Sequence, residues 1–178
     1  ATRNQEVGGA QWPEIDWEER IWYIPAERMK AGKAHRVPLT EQMLEVLRQQ
    51  VGKHDKWIFL NSWRTGPIPG NAMARVLDQL QVDGVVPHGF RSTFRTWAAE
   101  KTDHQREVCE MALAHTLTSK VEAAYNRGDL LDKRRALMKD WGDFLVANAP
   151  QVQGEVSDLV SELAPDAGSD QAKVLPAA

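Results

Sequence analysis

From Gly89 to Ala147 the apolar residues recur three and four positions apart, and this periodicity constrains the fold more than any other feature of the chain. Segments of that kind bury their apolar stripe by packing helix on helix. The spacing predicts helices over about 89–101, 103–113 and 119–126. A longest one is expected over about 130–147, with Leu130, Leu131, Leu137, Met138, Trp141, Phe144 and Leu145 on its buried side. Before Gly89 the pattern differs. Arg20-Ile21-Trp22-Tyr23-Ile24-Pro25 and His35-Arg36-Val37-Pro38-Leu39 are β-prone, and Ala31-Gly32-Lys33 supplies a turn between them. They read as a hairpin, with Glu14-Ile15-Asp16-Trp17 as a neighbouring strand. Pro25 and Pro38 place the strands at edges or ends. Thr40 is expected to cap a helix whose apolar face is Met43, Leu44, Val46, Leu47 and Val51. Trp57-Ile58-Phe59-Leu60 reads as a short buried run, and Asn71 as the cap of a helix through Leu80. The expected fold class is mainly α with a small antiparallel β-sheet inserted early, an α+β domain.

A chain of 178 residues has room for one sizeable core. No apolar run approaches the roughly 20 residues of a bilayer span, which argues against a membrane protein. No basic-then-apolar leader opens the chain, and the lone Cys109 fits a reducing compartment, so a cytoplasmic setting is expected. The start at Ala1-Thr2, without Met, is expected of a piece cut from something longer. The last thirty residues differ from the rest: 149–178 carries no aromatic residue and holds Glu155, Asp158, Glu162, Asp166 and Asp170 against Lys173. It reads as a mobile acidic tail after a domain over 1–148. Of the formal charge of −3, the tail contributes −4, leaving +1 for the domain. A body near neutrality can still present a basic cleft, so charge excludes no anionic partner.

Several familiar chemistries are absent. There is no GxxxxGK[ST] phosphate loop, no CxxC pair and no HExxH. His104, Cys109 and His115 lie close in sequence but read better as a surface histidine, a buried thiol and an unrelated histidine than as a metal site. No cofactor or metal is expected. His88-Gly89-Phe90-Arg91 opens a helical segment, where residues three apart share a face and free N–H groups favour an anion. Taken singly, each further candidate has a bland role. Arg91 can be a solvated helix charge, Lys30 a turn residue, His115 a cation at a helix C-terminus, and Tyr125 the edge of a core. Taken together, two Arg, two His, a Lys and a Tyr are an inventory for attacking a phosphodiester without metal.

The ordered set Arg3, Lys30, His88, Arg91, His115, Tyr125 resembles the catalytic domain of the tyrosine recombinases, or phage integrases. The surrounding words match too: Trp12-Pro13-Glu14-Ile15-Asp16, His35-Arg36-Val37-Pro38-Leu39, Leu113-Ala114-His115, Ala124-Tyr125-Asn126-Arg127 and Asp132-Lys133-Arg134-Arg135-Ala136-Leu137-Met138. The wording is closest to prophage and genomic-island integrases of the satellite-phage type, and the resemblance covers about residues 2–147. It implies a site-specific recombinase that cuts and rejoins double-stranded DNA through a 3′-phosphotyrosine. Tyr125 is then the nucleophile, His88 its base, and Lys30 the donor to the leaving 5′ oxygen. Arg3 and Arg91 clamp the phosphate, His115 bonds a non-bridging oxygen, and Glu6 orients Arg3. It also implies a homotetramer on synapsed attachment sites for the full-length protein.

The sequence departs from the family pattern in three respects. The domain's first helices and a separate DNA-binding domain are expected to be missing, so the domain reads as N-terminally truncated. Arg3 is accordingly expected on an unanchored end, with DNA affinity weakened. Ala114 stands where Gly often precedes the second His. A truncated, catalytically inactive DNA-binding remnant and a type IB topoisomerase-like strand relaxer stay open as alternatives.

Overall fold

The computed structural model of the chain describes residues 2–115 and 128–149. The expected helix over 119–126, Tyr125 within it, and the tail from 150 to 178 lie outside the described residues.

A five-residue helix, α1 (Asn4–Gly8), opens the described chain. A 3-10 turn at Trp12–Glu14 leads into β1 (Ile15–Asp16), which pairs antiparallel with β2 (Ile21–Ile24). A second 3-10 turn at Ala26–Arg28 follows, and β3 (His35–Pro38) returns antiparallel to β2 with Trp22 opposite Val37 and Tyr23 opposite Arg36. The sheet order is β1-β2-β3, the expected hairpin and neighbouring strand. The turn sits where expected: Gly32 adopts a φ of +62° and its N–H bonds the Met29 carbonyl at 2.9 Å.

The helix α2 (Glu41–Arg48) starts at Thr40, whose hydroxyl accepts from the Met43 N–H at 3.4 Å. Leu44 and Leu47 are buried on it, but Val46 is exposed and Val51 lies beyond its end. The apolar face is therefore narrower than the sequence indicated, because only one side of so short a helix meets the sheet. Ile58 is fully buried, tied by its N–H to the Ala10 carbonyl at 3.0 Å. The next helix, α3 (Ala72–Gln79), buries no residue, and Asn71 holds the cap position without a capping bond from its side chain.

Among the described residues, the predicted helical half holds α4 (Gly89–Lys101), α5 (Arg106–Ala112) and α6 (Leu131–Ala147). The start of α5 falls later than Asp103, because the Thr102 hydroxyl bonds back to the Ala98 carbonyl at 2.6 Å and the next turn stays extended. Phe94, Trp97, Val108, Cys109, Leu113, Leu137 and Met138 form its core. Around them Trp97, Trp141 and Phe144 pack ring on ring, with centroids 4.9 to 5.6 Å apart. Leu145, expected in this stripe, is exposed. A second cluster joins the sheet to α2 through Trp22, Ile24, Val37, Leu44, Leu47 and Ile58, and Met43 packs against both clusters. The fold class is the α+β mixture the pattern indicated. No described helix is long and apolar enough to cross a membrane.

Candidate active site

The N-terminal part of the site is built by carboxylates. Glu6 is buried on α1, and its Oε2 accepts from the Arg3 N–H at 2.6 Å while Oε1 accepts from Arg3 Nη1 at 2.8 Å. The helix start is thus satisfied by a side chain reaching back one turn, as in a capping box. Arg28 holds α1 from the other side, donating to the Glu6 carbonyl and to the buried Glu14 carboxylate, which also accepts from Trp22 Nε1 at 2.9 Å. Asn4 adds a bond to the Gly70 carbonyl at 2.5 Å. Arg3 differs here from the unanchored end expected: neighbours that are remote in sequence hold the short helix it caps.

The second half comes from α4 and the end of α5. Arg91 is buried in the first turn of α4, and its Nη2 donates to the Leu113 carbonyl at 2.7 Å and lies 3.2 Å from His115 Nε2. His115 is brought there by the way α5 ends. Ala114 takes the left-handed conformation, φ +51°, its N–H bonds the Met111 carbonyl, and the His115 N–H bonds the Glu110 carbonyl, both at 3.0 Å. This pair of bonds is a Schellman motif, which turns the chain back over its last helical turn. The turn lays the His115 ring against Glu110, with Nδ1 2.6 Å from Oε2, and Glu110 Oε1 accepts from Arg95 Nε at 2.7 Å.

The two halves meet electrostatically. Burial pulls the Arg91 guanidinium below its usual value, the like charge of Arg3 pulls it further, and Glu6 opposes both. An arginine in such surroundings remains charged. Two guanidinium groups therefore share one neighbourhood, with a histidine beside one of them, an arrangement suited to an oxyanion with more than one acceptor oxygen.

Of the expected residues, the structure brings together Arg3, Glu6, Arg91 and His115. His88 stands at the N-cap of α4 and is exposed, whereas Arg91, three residues on, is buried. Lys30 is exposed on the turn before β3. Glu110, Arg95, Arg28 and His35 were not singled out from the sequence. His35 lies on β3, its pKa lowered to about 4 by burial and then by the Arg134 charge, with the Ala112 carbonyl and Glu6 opposing. Only its place in a word matching the family hinted at it. Among the described residues no cluster of His, Cys, Asp and Glu is placed to hold a metal ion. His104 instead bonds Asp140, and Cys109 is buried in the helical core.

Beyond the segment that carries Tyr125, the chain is clamped again. Asp129 accepts from Arg36 Nε at 2.7 Å and Nη2 at 2.6 Å, and from Arg134 Nη2 at 2.7 Å. Arg134 is only 1% exposed and also donates to the carbonyls of Asp129 and Arg36. The first turn of α6 is thereby joined to β3.

A family model described as the phage integrase family matches residues 1–130. The prophage integrase IntA of Escherichia coli strain K12 is 35% identical over 150 residues, which cover 82% of this chain and 36% of that protein. The integrase of Shigella phage Sf6 is also 35% identical over 150 residues, covering 82% and 39%. The integrase of Enterobacteria phage P4 is 28% identical over 165 residues, covering 82% and 38%. The chain thus spans less than two fifths of the length of these relatives. No solved structure matches it.

Proposed function

Because this chain belongs to the phage integrase family, we propose that it is the catalytic portion of a site-specific recombinase that breaks and rejoins DNA strands through a phosphotyrosine. The observation that carries the proposal is the shared neighbourhood of Arg3 and Arg91, with His115 3.2 Å from Arg91. A phosphodiester repels nucleophiles by its charge, and donors fixed beforehand neutralise it without reorganising during the reaction. Arg3 and Arg91 bind the non-bridging oxygens, and His115 contacts one of them. Glu6 orients Arg3 through the bond they share.

In the reaction the Tyr125 hydroxyl oxygen forms a bond to phosphorus as the bond to the 5′ oxygen breaks. His88 accepts the phenol proton, and Lys30 gives a proton to the leaving 5′ oxygen. A phenol has a pKa near 10 and so needs both a base and nearby positive charge at neutral pH. Lys30, on an exposed turn, has the reach of a flexible ammonium. The phosphodiester energy is kept in the covalent link, so a 5′ hydroxyl of a second duplex can reseal the strand. Two exchanges on synapsed attachment sites call for a homotetramer of the full-length protein, acting on the DNA of the nucleoid.

A nicked suicide substrate tests the assignment. The chain is expected to trap a covalent adduct, and Tyr125→Phe to trap none. Adduct in both would overturn the nucleophile, and adduct in neither would favour a DNA-binding remnant.

A further inference from the structure

The His115 ring is contacted at both nitrogens, and the two partners differ in kind. Nδ1 lies 2.6 Å from Glu110 Oε2, and Nε2 lies 3.2 Å from Arg91 Nη2. An ionised carboxylate only accepts hydrogen bonds, and a guanidinium only donates them. One form of the neutral ring satisfies both: Nδ1–H donates to Glu110, and the Nε2 lone pair accepts from Arg91. The other tautomer would set a lone pair against the carboxylate and an N–H against an N–H.

We propose that Glu110 is a positioning residue that fixes the tautomer and orientation of His115, so that Nε2 is the nitrogen presented beside Arg91 to a phosphate oxygen. This rests on the assignment of His115 to the phosphate contact. Glu110 is itself held in place. Its Oε1 accepts from Arg95 Nε at 2.7 Å, and its carbonyl accepts the His115 N–H at 3.0 Å, so it grips His115 through both main chain and side chain. Burial works to raise the Glu110 carboxyl, but the bonds from His115 and Arg95 outweigh it and hold the group ionised below its ordinary range. Which histidine nitrogen faces a ligand is set by the bond the other one makes. With Nδ1 committed to Glu110, Nε2 is the nitrogen on the Arg91 side of the ring, where substrate would approach. Because the Glu110 carboxylate holds Nδ1–H, the ring edge bearing Nε2 is the one turned toward an oxygen bound at Arg91. Neither side of the pair shifts its main chain to do so, because the Schellman turn already joins them.

Nitrogen NMR of the 178-residue chain, labelled in its histidine rings, reads the tautomer directly. The neutral His115 ring is expected to carry its proton on Nδ1. Glu110→Ala should shift the proton toward Nε2 and slow Tyr125 adduct formation about tenfold or more, the usual scale for losing an orienting partner. A ring protonated on Nε2 in the unaltered chain overturns the proposal. So does an alanine variant matching the unaltered chain in tautomer and rate. The measurement on the unaltered chain needs no variant, so an alanine protein that fails to fold still leaves the proposal open to refutation. Absence of any adduct counts against the recombinase reading, while the ring tautomer decides the role of Glu110 separately.

Discussion

The site depends on residues held in conformations or charge states they would not adopt alone. Ala114 is the clearest case: a φ of +51° puts its Cβ close to its own carbonyl oxygen, a cost that glycine escapes. The strain is accepted because the left-handed step lets the next N–H reach the Glu110 carbonyl and delivers His115 to Arg91. Ala114→Gly is therefore expected to raise stability by about 1 kcal/mol, read as a shift in the denaturant midpoint with an unchanged slope. His35 shows the electrostatic counterpart. Its pKa is about 4 in the folded chain against 6.5 as the reference, so the unfolded state binds the proton more readily between those values. Stability should be constant above pH 6.5 and fall as the pH drops toward 4, by on the order of 3 kcal/mol from this group alone. Urea melts across that range should flatten in His35→Asn, which cannot titrate. A slope that survives the substitution would assign the acid sensitivity to other groups.

Between elements, one carboxylate does the joining. Asp129 serves two arginines in different surroundings: Arg134, 1% exposed, and Arg36, whose side chain is 45% exposed. An exposed ion pair contributes under about 1 kcal/mol, whereas removing the partner of a buried charge costs roughly 3 to 5 kcal/mol. Arg36→Ala should therefore cost less than about 1 kcal/mol, because the backbone carbonyl that Arg134 uses remains. Asp129→Ala should cost about 3 kcal/mol, since the guanidinium of Arg134 then keeps only carbonyl partners. Equal losses in thermal unfolding of the two variants would contradict the clamp described here. Helix boundaries carry a similar lesson. The sequence pattern located α4 and α6 within a residue or two, because a long run of apolar positions fixes a helix regardless of its neighbours. It missed α1, five residues long, since a helix that short is held by Asn4 to Gly70 and by Arg28 to the Glu6 carbonyl, contacts between residues far apart in the chain.

At the scale of the whole molecule the formal charge is −3, yet the site gathers two arginines and a histidine. On the proposed recombinase reading, attraction to DNA comes from that local field rather than from net charge. Affinity for duplex DNA should fall steeply with salt, and Arg3→Ala should reduce the slope of log K against log salt by about 1, as expected for one lost phosphate contact. Fluorescence anisotropy at several salt concentrations checks this, and an unchanged slope would remove Arg3 from the phosphate. The sequence by itself determined the fold class, the hairpin, the helical half and the family, because these follow from periodicity, turn residues and ordered words that survive without coordinates. Tertiary structure alone decided that Arg91 is buried while His88 three residues earlier is exposed, that Arg28 bonds the Glu6 carbonyl and Glu14, and that Glu110 faces His115. The reason is physical: periodicity reports which side of an element is apolar. Whether a charged side chain on it is desolvated and paired depends on groups brought near from distant parts of the chain, and no local pattern encodes their distances.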